Sequence, residues 1–216
     1  MSEIVFFLEE PSAEALLKTM LPRVLPPETS FRCVVFEGKQ DLEKQLVRRM
    51  RGYRNPQARF VVLRDQDSAD CKTVKHGLRQ KCLEAGRPKA IVRIACRELE
   101  SWYWADLAAV EAALDQKGLR RLQNKRRYQE PDKLQSPSRV LSQLAPSYQK
   151  IGGSRAIGPH LALDNPRSRS FAHFITAIRS LAGFGPVPLT AKRPQRTQRN
   201  ETLSLLPFCA LCALCG

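Results

Sequence analysis

The sequence lacks the signatures of several large protein classes. No apolar run in its 216 residues approaches the ~20 that a membrane-spanning helix needs, and no basic segment precedes the first apolar run. No glycine-rich phosphate-binding loop is present, which argues against ATP hydrolysis by this chain alone. His76, His160 and His173 are isolated, and no Ser-His-Asp or Cys-His arrangement is legible. These absences predict a cytoplasmic protein without membrane contact.

Acidic residues are also scarce, and the resulting positive charge is unevenly placed. The chain holds 36 Lys and Arg against 21 Asp and Glu, a net charge of +15, and residues 116–170 alone hold 12 Lys/Arg and 3 Asp/Glu. Such a surface favours a polyanionic partner, DNA or RNA first, although a solvated basic face without a ligand remains an alternative. Candidate phosphate contacts are Lys125, Arg126, Arg127, Lys150, Arg155, Arg167 and Arg169.

The cysteines do not indicate a metal site. Cys33, Cys71, Cys82 and Cys96 lack metal-ligand spacing, whereas Cys209, Cys212 and Cys215 form a C-x-x-C-x-x-C run at the end of the sequence. No fourth ligand is evident near that run, so we interpret it as part of a tail without a function of its own.

Strand-like and helix-like segments alternate through the first half of the chain. This order predicts an α/β fold in which a mainly parallel central sheet has helices on both faces, with a core domain over residues 1–115. The predicted strands cover 3–8, 31–36, 60–63 and 90–95, and the predicted helices cover 14–24, 41–51, 70–85 and 99–114.

The residue composition changes after residue 116. Residues 116–182 predict a basic, mostly helical extension packed on the core, with helices over 137–144 and 170–182. Gly152-Gly153 predicts a flexible turn, flanked by Lys150 and Arg155, at which the backbone can approach a phosphate closely. Residues 183–216 lack an amphipathic period and predict a disordered tail.

Candidate metal-binding acids follow the first, third and fourth predicted strands. Glu9 ends the first, Asp65 and Asp67 end the third, and Glu100 follows the fourth. Because parallel strands end at one edge of a sheet, these carboxylates are candidate ligands for Mg²⁺ or Mn²⁺. The alternative for the Asp pair is a turn and helix cap, and for Glu100 an acid favoured by a helix N-terminus.

The residues at these strand ends resemble a known family. An apolar strand ending in Glu, followed by a helix and later by a strand ending in Asp-x-Asp, is similar to the Toprim pattern of topoisomerases, primases and overcoming-lysogenization-type nucleases. The chain looks like a bacterial family of small Toprim-like proteins of unknown function over about residues 3–182. The segments that carry the resemblance are Phe6–Ser12, Phe60–Asp67, Arg97–Trp102, Tyr148–Lys150 and Arg167–Phe171.

The resemblance implies a function and a set of site residues. Glu9 would be the catalytic or metal-binding acid, Asp65 and Asp67 would bind the metal, and Glu100 matches a Glu that recurs just before a Trp. Family members are often encoded beside an ABC- or SMC-type ATPase, in arrangements suggestive of phage defence. The chain is therefore expected to be a metal-dependent nuclease that acts with a separate ATPase subunit, and its sequence is compatible with a homo-oligomer.

The chain departs from the Toprim pattern at one position. Toprim domains usually have Gly after the Glu, whereas Glu10 follows Glu9 here. A glycine gives the backbone freedom near a phosphate, so its replacement leaves two competing interpretations open. The first is a catalytically silent adaptor and the second is a plain nucleic-acid-binding module. Glu37-Gly38, a true Glu-Gly pair after the second strand, competes with Glu9 for the role of the acid.

Overall fold

The centre of the protein is a parallel four-stranded sheet. The computed structural model describes residues 2–183, so the tail predicted beyond Gly183, with Cys209, Cys212 and Cys215, lies outside the described residues. The strands pair in the order β2-β1-β3-β4, and every pairing is parallel. Their bounds are β1 Ser2–Leu8, β2 Thr29–Val35, β3 Arg59–Asp65 and β4 Ile91–Ala95. All four strands therefore end at the same edge of the sheet.

Helices cover both faces of this sheet. Alternate residues of β1 point to opposite faces: Ile4, Phe6 and Leu8 join one apolar cluster, and Val5 and Phe7 join the other. The first cluster contains the buried side of α1 (Pro11–Met20), whereas the second contains those of α2 (Lys39–Arg51) and α3 (Cys71–Glu84). The predicted class, a mainly parallel sheet with helices on both faces, is confirmed.

The helix predicted over 99–114 is two helices. Helix α4 spans Glu100–Trp104 and α5 spans Leu107–Leu114. Asp106 caps α5 by accepting a hydrogen bond from Ala109 N–H at 3.2 Å, and Asn165 Nδ2 donates to the carbonyl of Ala105 at 2.7 Å. The single-helix prediction was wrong because the side chains of Asp106 and Asn165 satisfy the backbone groups that the break exposes.

The C-terminal part of the described chain is mostly helical, as predicted. It contains α6 (Pro137–Leu144), α7 (Lys150–Ile157) and α8 (Arg169–Leu181), together with short 3-10 turns. Phe171 and Phe174 of α8 are buried in the same apolar cluster as Phe6 of β1, and the Trp102 ring lies 5.0 Å from that of Phe174. Among residues 2–183, no helix is long and apolar enough to cross a membrane.

The prediction of a flexible turn at Gly152-Gly153 was wrong, because both glycines lie inside α7. Gly153 is needed there for packing. A Cβ built on it would lie 2.3 Å from Cδ2 of the Tyr148 ring, whereas a Cβ on Gly152 would meet only Gln149 Cβ at 3.9 Å. Gly153 allows the close approach of the Tyr148 ring, and Gly152 lies on the helix surface. Neither glycine indicates a flexible chain.

Candidate metal and nucleic-acid site

The parallel topology brings the predicted acids to one end of the sheet. Leu8 pairs with Leu63, and Asp65 pairs with Ala95, so Glu9 and Asp65 both leave the sheet at the edge where α4 begins with Glu100. The backbone N–H of Asp65 donates to Glu9 Oε2 at 3.1 Å. This contact fixes the first acid against the end of the strand that carries the second.

Asp65 lies in a strongly acidic environment. Burial raises the pKa of its carboxyl well above the usual range, and the neighbouring charges of Glu100, Glu10 and Glu9 raise it further. Burial likewise raises the pKa of Glu9, against the effect of the Asp65 N–H. These four residues, Glu9, Glu10, Asp65 and Glu100, are called the carboxylate cluster below. Like charges held this close destabilise one another unless a cation or a proton lies between them.

Glu100 is the most enclosed member of the carboxylate cluster. It is 0% exposed, its Oε1 accepts a hydrogen bond from the Tyr148 hydroxyl at 2.8 Å, and its Oε2 has no hydrogen-bond partner. Burial raises the pKa of the Glu100 carboxyl. The Tyr148 ring that holds Glu100 rests on Gly153, so a glycine in α7 determines where this carboxylate lies.

A lysine ammonium compensates part of the negative charge. Lys150 Nζ lies 2.8 Å from both carboxylate oxygens of Glu10. Although burial opposes its charge, the hydrogen bond to Glu10 and the nearby carboxylates of Glu100 and Asp65 raise the pKa of Lys150. Lys150, predicted as a phosphate contact, thus lies at the carboxylate cluster.

Sequence reasoning missed Arg64 and the roles of Glu10 and Tyr148. Arg64 is buried in β3, where its guanidinium forms an ion pair with Glu43 and its Nε lies 3.7 Å from Glu9 Oε2, too far for a hydrogen bond. A single arginine between apolar strand residues and an acid was a readable signal for a buried ion pair. Tyr148 belongs to a segment that carries the family resemblance, but its contact with Glu100 depends on tertiary packing and could not be read from the sequence.

Asp67 and Glu98 each have a partner outside the carboxylate cluster, although the charge of Asp67 still helps to raise the pKa of Glu9. Asp67 adopts a left-handed backbone conformation (φ 57°) and forms an ion pair with Lys39 at 2.9 Å. Glu98 Oε2 accepts a hydrogen bond from the Ser138 N–H at 2.7 Å, at the start of α6. Within residues 2–183, no three His, Cys, Asp or Glu side chains converge closely enough to form a ready metal cage.

The chemistry of the donors nevertheless fits a divalent cation. Carboxylate oxygens are the preferred ligands of Mg²⁺ and Mn²⁺. A buried Glu100 oxygen without a hydrogen-bond partner, beside an Asp65 carboxyl whose pKa is raised by burial and by other carboxylates, is the arrangement that a bound cation stabilises.

The predicted basic residues fall into separate groups. Arg167 and Arg169 line one cleft, and Arg126 and Arg127 line an adjoining one, with the exposed Lys125 directly before them. Lys150 and Arg155 lie on α7, which packs against α1. The first group shares the sheet edge with Asp67 through Arg97, which lines both the first cleft and a pocket containing Asp67.

Comparisons with known proteins place the chain in a family. No curated protein sequence matches it. One similar solved structure, the C-terminal region of the Xanthomonas campestris pv. campestris OLD protein, is 13% identical with a TM-score of 0.46, covering 85% of this chain and 97% of that one. The corresponding region from Burkholderia pseudomallei is 13% identical with a TM-score of 0.48, covering 83% and 98%. Residues 8–179 match the family described as "Domain of unknown function (DUF4276)", and the chain belongs to that family.

Proposed function

We propose that this protein is a Mg²⁺- or Mn²⁺-dependent nuclease that cleaves phosphodiester bonds of DNA or RNA. One observation carries the proposal. The carboxylate cluster contains a buried Glu100 oxygen without a partner next to an Asp65 carboxyl whose pKa is raised by burial and by three neighbouring acids. A fold gains no stability from such an arrangement, whereas a site that binds a cation needs it.

The proposed metal ligands are Glu9, Asp65, Asp67 and Glu100. A bound divalent ion would supply Lewis acidity toward a water and the phosphodiester. Asp67 would join the other three by leaving Lys39, an exposed partner whose ion pair costs little to break.

The residues of the chain itself have distinct proposed roles. Glu9 serves as a ligand or as the general base, because burial raises the pKa of its carboxyl toward the range useful for accepting a proton. Tyr148 orients Glu100, and Lys125, Arg126, Arg127, Arg167 and Arg169 hold the phosphate backbone. Lys150 and Arg155 remain predicted phosphate contacts.

The test is metal-dependent nicking of a supercoiled plasmid and cleavage of a labelled RNA. Wild type is expected to cut at least one of them with Mg²⁺ or Mn²⁺ and neither in EDTA. Asp65→Ala should lower the rate at least about 100-fold with its circular dichroism unchanged. Glu84→Ala, which removes an exposed acid at the end of α3, is the matched control and should cut normally. No cleavage by wild type with either metal would refute the nuclease.

A second candidate is a catalytically silent adaptor with the same fold. The ion pair between Lys150 and Glu10 favours it, because an internal ammonium already offsets part of the charge that a metal would neutralise. A silent adaptor would bind neither Mn²⁺ nor Mg²⁺ in calorimetry, and Asp65→Ala would leave partner binding intact.

A plain nucleic-acid-binding module would instead lose function on charge reversal of Arg126 and Arg127 and keep it in Asp67→Ala.

The association with an ABC- or SMC-type ATPase in phage defence is a further part of the proposal. It is supported by the sequence resemblance described above and by the lack of a glycine-rich phosphate-binding loop in the chain. Co-expression with the product of a neighbouring ATPase gene should give a stable complex on size exclusion. Separate elution of the two proteins, with and without nucleotide, would contradict this part alone.

A further inference from the structure

Three neighbouring cavities lie around residues 130–136. A cleft of about 340 Å³ lies between the loops after β3 and β4 and the start of α8. It shares Glu130 and Lys133 with a second cavity of about 330 Å³, and Arg97 with a third of about 210 Å³ that contains Asp67. Neighbouring cavities share wall residues, so the three follow one another along the surface from Arg126 to Asp67. Together they are called the edge groove below.

Positive charge predominates along the edge groove. Its cations are Lys72, Arg97, Arg126, Arg127, Lys133, Arg167 and Arg169. Two of its acids are already engaged at helix starts: Asp70 accepts from the Thr73 N–H at 2.8 Å and Asp132 from the Ser170 N–H at 3.0 Å. Within residues 2–183, Arg97 and Arg169 form no ion pair with an acid. These two guanidinium groups are available to an external anion.

Arg97 is held in an unusual backbone conformation beside a proposed metal ligand. Its φ of 63° lies in the left-handed region, which residues with a Cβ seldom adopt. Its carbonyl accepts from the Asp67 N–H at 2.7 Å, and its own N–H donates to Gln66 Oε1 at 3.2 Å. The fold thus keeps an unfavourable conformation at a residue that links the largest cavity of the groove to Asp67. Such local strain commonly marks a functional position.

The geometry points to the edge groove as the binding path of a single-stranded nucleic acid, with one nucleotide in the 340 Å³ cleft and phosphates on Arg97 and Arg169. A cleft of this volume is in the range of pockets that hold one small molecule such as a nucleotide, and a base paired inside a duplex cannot enter a pocket without leaving the stack. This inference rests on the proposed function, since the groove ends at Asp67. It adds Arg97 and Lys72 to the contacts and separates them from Lys150 and Arg155 on α7.

The test measures binding without cleavage. A fluorescent 12-nucleotide single strand and its duplex are titrated with the full chain in EDTA, and anisotropy is followed at several salt concentrations. The single strand should bind more tightly than the duplex. Arg97→Gln combined with Arg169→Gln should weaken binding at least about tenfold and lower the salt slope by roughly 0.7 for each lost phosphate contact. Arg49→Gln, an exposed arginine of α2 that lines none of the three cavities, should have no effect.

A second variant distinguishes lost contact from lost folding. Arg97→Gly relieves the left-handed strain and removes the guanidinium, so it should bind weakly while its melting temperature stays equal or rises. Wild-type binding by the arginine variants, or equal loss in Arg49→Gln, would overturn the inference, as would preference for the duplex. Single-strand binding in EDTA without cleavage by any metal would keep the edge groove and refute the nuclease. Cleavage at an unchanged rate by the variants that lack the Arg97 guanidinium would keep the nuclease and refute the edge groove.

Discussion

Asp65 and Asp67 stand two residues apart in one motif, yet they lie in opposite electrostatic environments. Asp65 ends β3 inside the carboxylate cluster, where burial and three other acids raise the pKa of its carboxyl. Asp67 lies on the outer loop, with a side chain 35% exposed and an ion pair to Lys39. The motif therefore combines an interior acid whose charge is poorly compensated with an outer acid whose charge is already paired.

The two environments predict different effects of each acid on folding stability and on cation binding. An interior carboxylate without a cation destabilises the fold and gains most when a metal arrives. An exposed, paired carboxylate contributes little to stability and is free to exchange one cation for another. Changes near Asp65 should therefore have large effects on the metal-free protein, and changes near Asp67 should have small ones.

The largest effect is expected at the support of the interior acids. Gly153→Ala places a Cβ 2.3 Å from the Tyr148 ring, so the ring must move away from Glu100. We expect a loss of about 3 kcal/mol in unfolding free energy, measured by urea denaturation, although alanine is the better helix former. Gly152→Ala is the matched control in the same helix and should stabilise by up to ~1 kcal/mol. Equal effects at the two glycines would mean that Tyr148 does not rest on α7.

Removing the interior charge should stabilise the metal-free protein. The folded state raises the pKa of Asp65 above its usual 3.8, so folded protein binds this proton more tightly than unfolded protein does. Stability from this group is therefore greatest below pH ~4 and is lost as the pH rises toward the folded-state pKa. Asp65→Asn should gain roughly 1–3 kcal/mol at pH 7, shrinking toward pH 4. Asp67→Asn, which loses Lys39, should be neutral or slightly destabilising.

Thermal unfolding in EDTA across pH 4–8 checks this pair of variants. The same series with Mn²⁺ provides the second arm, because a metal that binds only the folded state raises its melting temperature. Wild type should gain more from the metal than Asp65→Asn does. A destabilised Asp65→Asn at pH 7 would contradict the electrostatic assignment.

An intermediate effect is expected when Lys150 at the carboxylate cluster is replaced. Lys150→Met removes the ammonium that lies 2.8 Å from both Glu10 oxygens. The metal-free protein should become less stable, and its affinity for Mn²⁺ should rise about tenfold, since a competing cation is lost. Lys150→Arg keeps the charge and should resemble wild type. Unchanged Mn²⁺ affinity in calorimetry for both variants would mean that Lys150 lies too far from the ion to influence it.

The sheet could be predicted from the sequence because its physical signals are local. Apolar runs at β1 and β3, followed by charged residues and amphipathic helices, indicate a parallel sheet and hence the edge that carries the acids, whereas the order β2-β1-β3-β4 comes from the structure. The break between α4 and α5 was not predictable, because it depends on Asn165 and other side chains from distant segments. By sequence alone, a glycine pair such as Gly152-Gly153 fits either a turn or a helix. Only the position of the Tyr148 ring shows why Gly153 is needed.

The candidate site was predictable in its acids but less so in their partners. Glu9, Asp65 and Glu100 follow strands and were expected together. Asp67 was expected with them, and it pairs with Lys39 while its charge also raises the pKa of Glu9. Lys150 was read as a phosphate contact since its basic neighbourhood was visible in the sequence. Its contact with Glu10 spans 140 positions of the chain and could not be read from either segment alone.

The smallest effect is expected at the outer loop. Lys39→Gln removes an ion pair whose side chains are 50% and 35% exposed, so solvent already screens most of its energy. The unfolding free energy should change by less than about 0.5 kcal/mol, and the difference should vanish at 1 M salt. Because Asp67 would then face a cation without competition, the variant should also bind Mn²⁺ at least as tightly as wild type. A loss above ~1 kcal/mol that persists in high salt would show that the outer acid is as tightly coupled to the fold as Asp65, and the contrast between the two environments would fail.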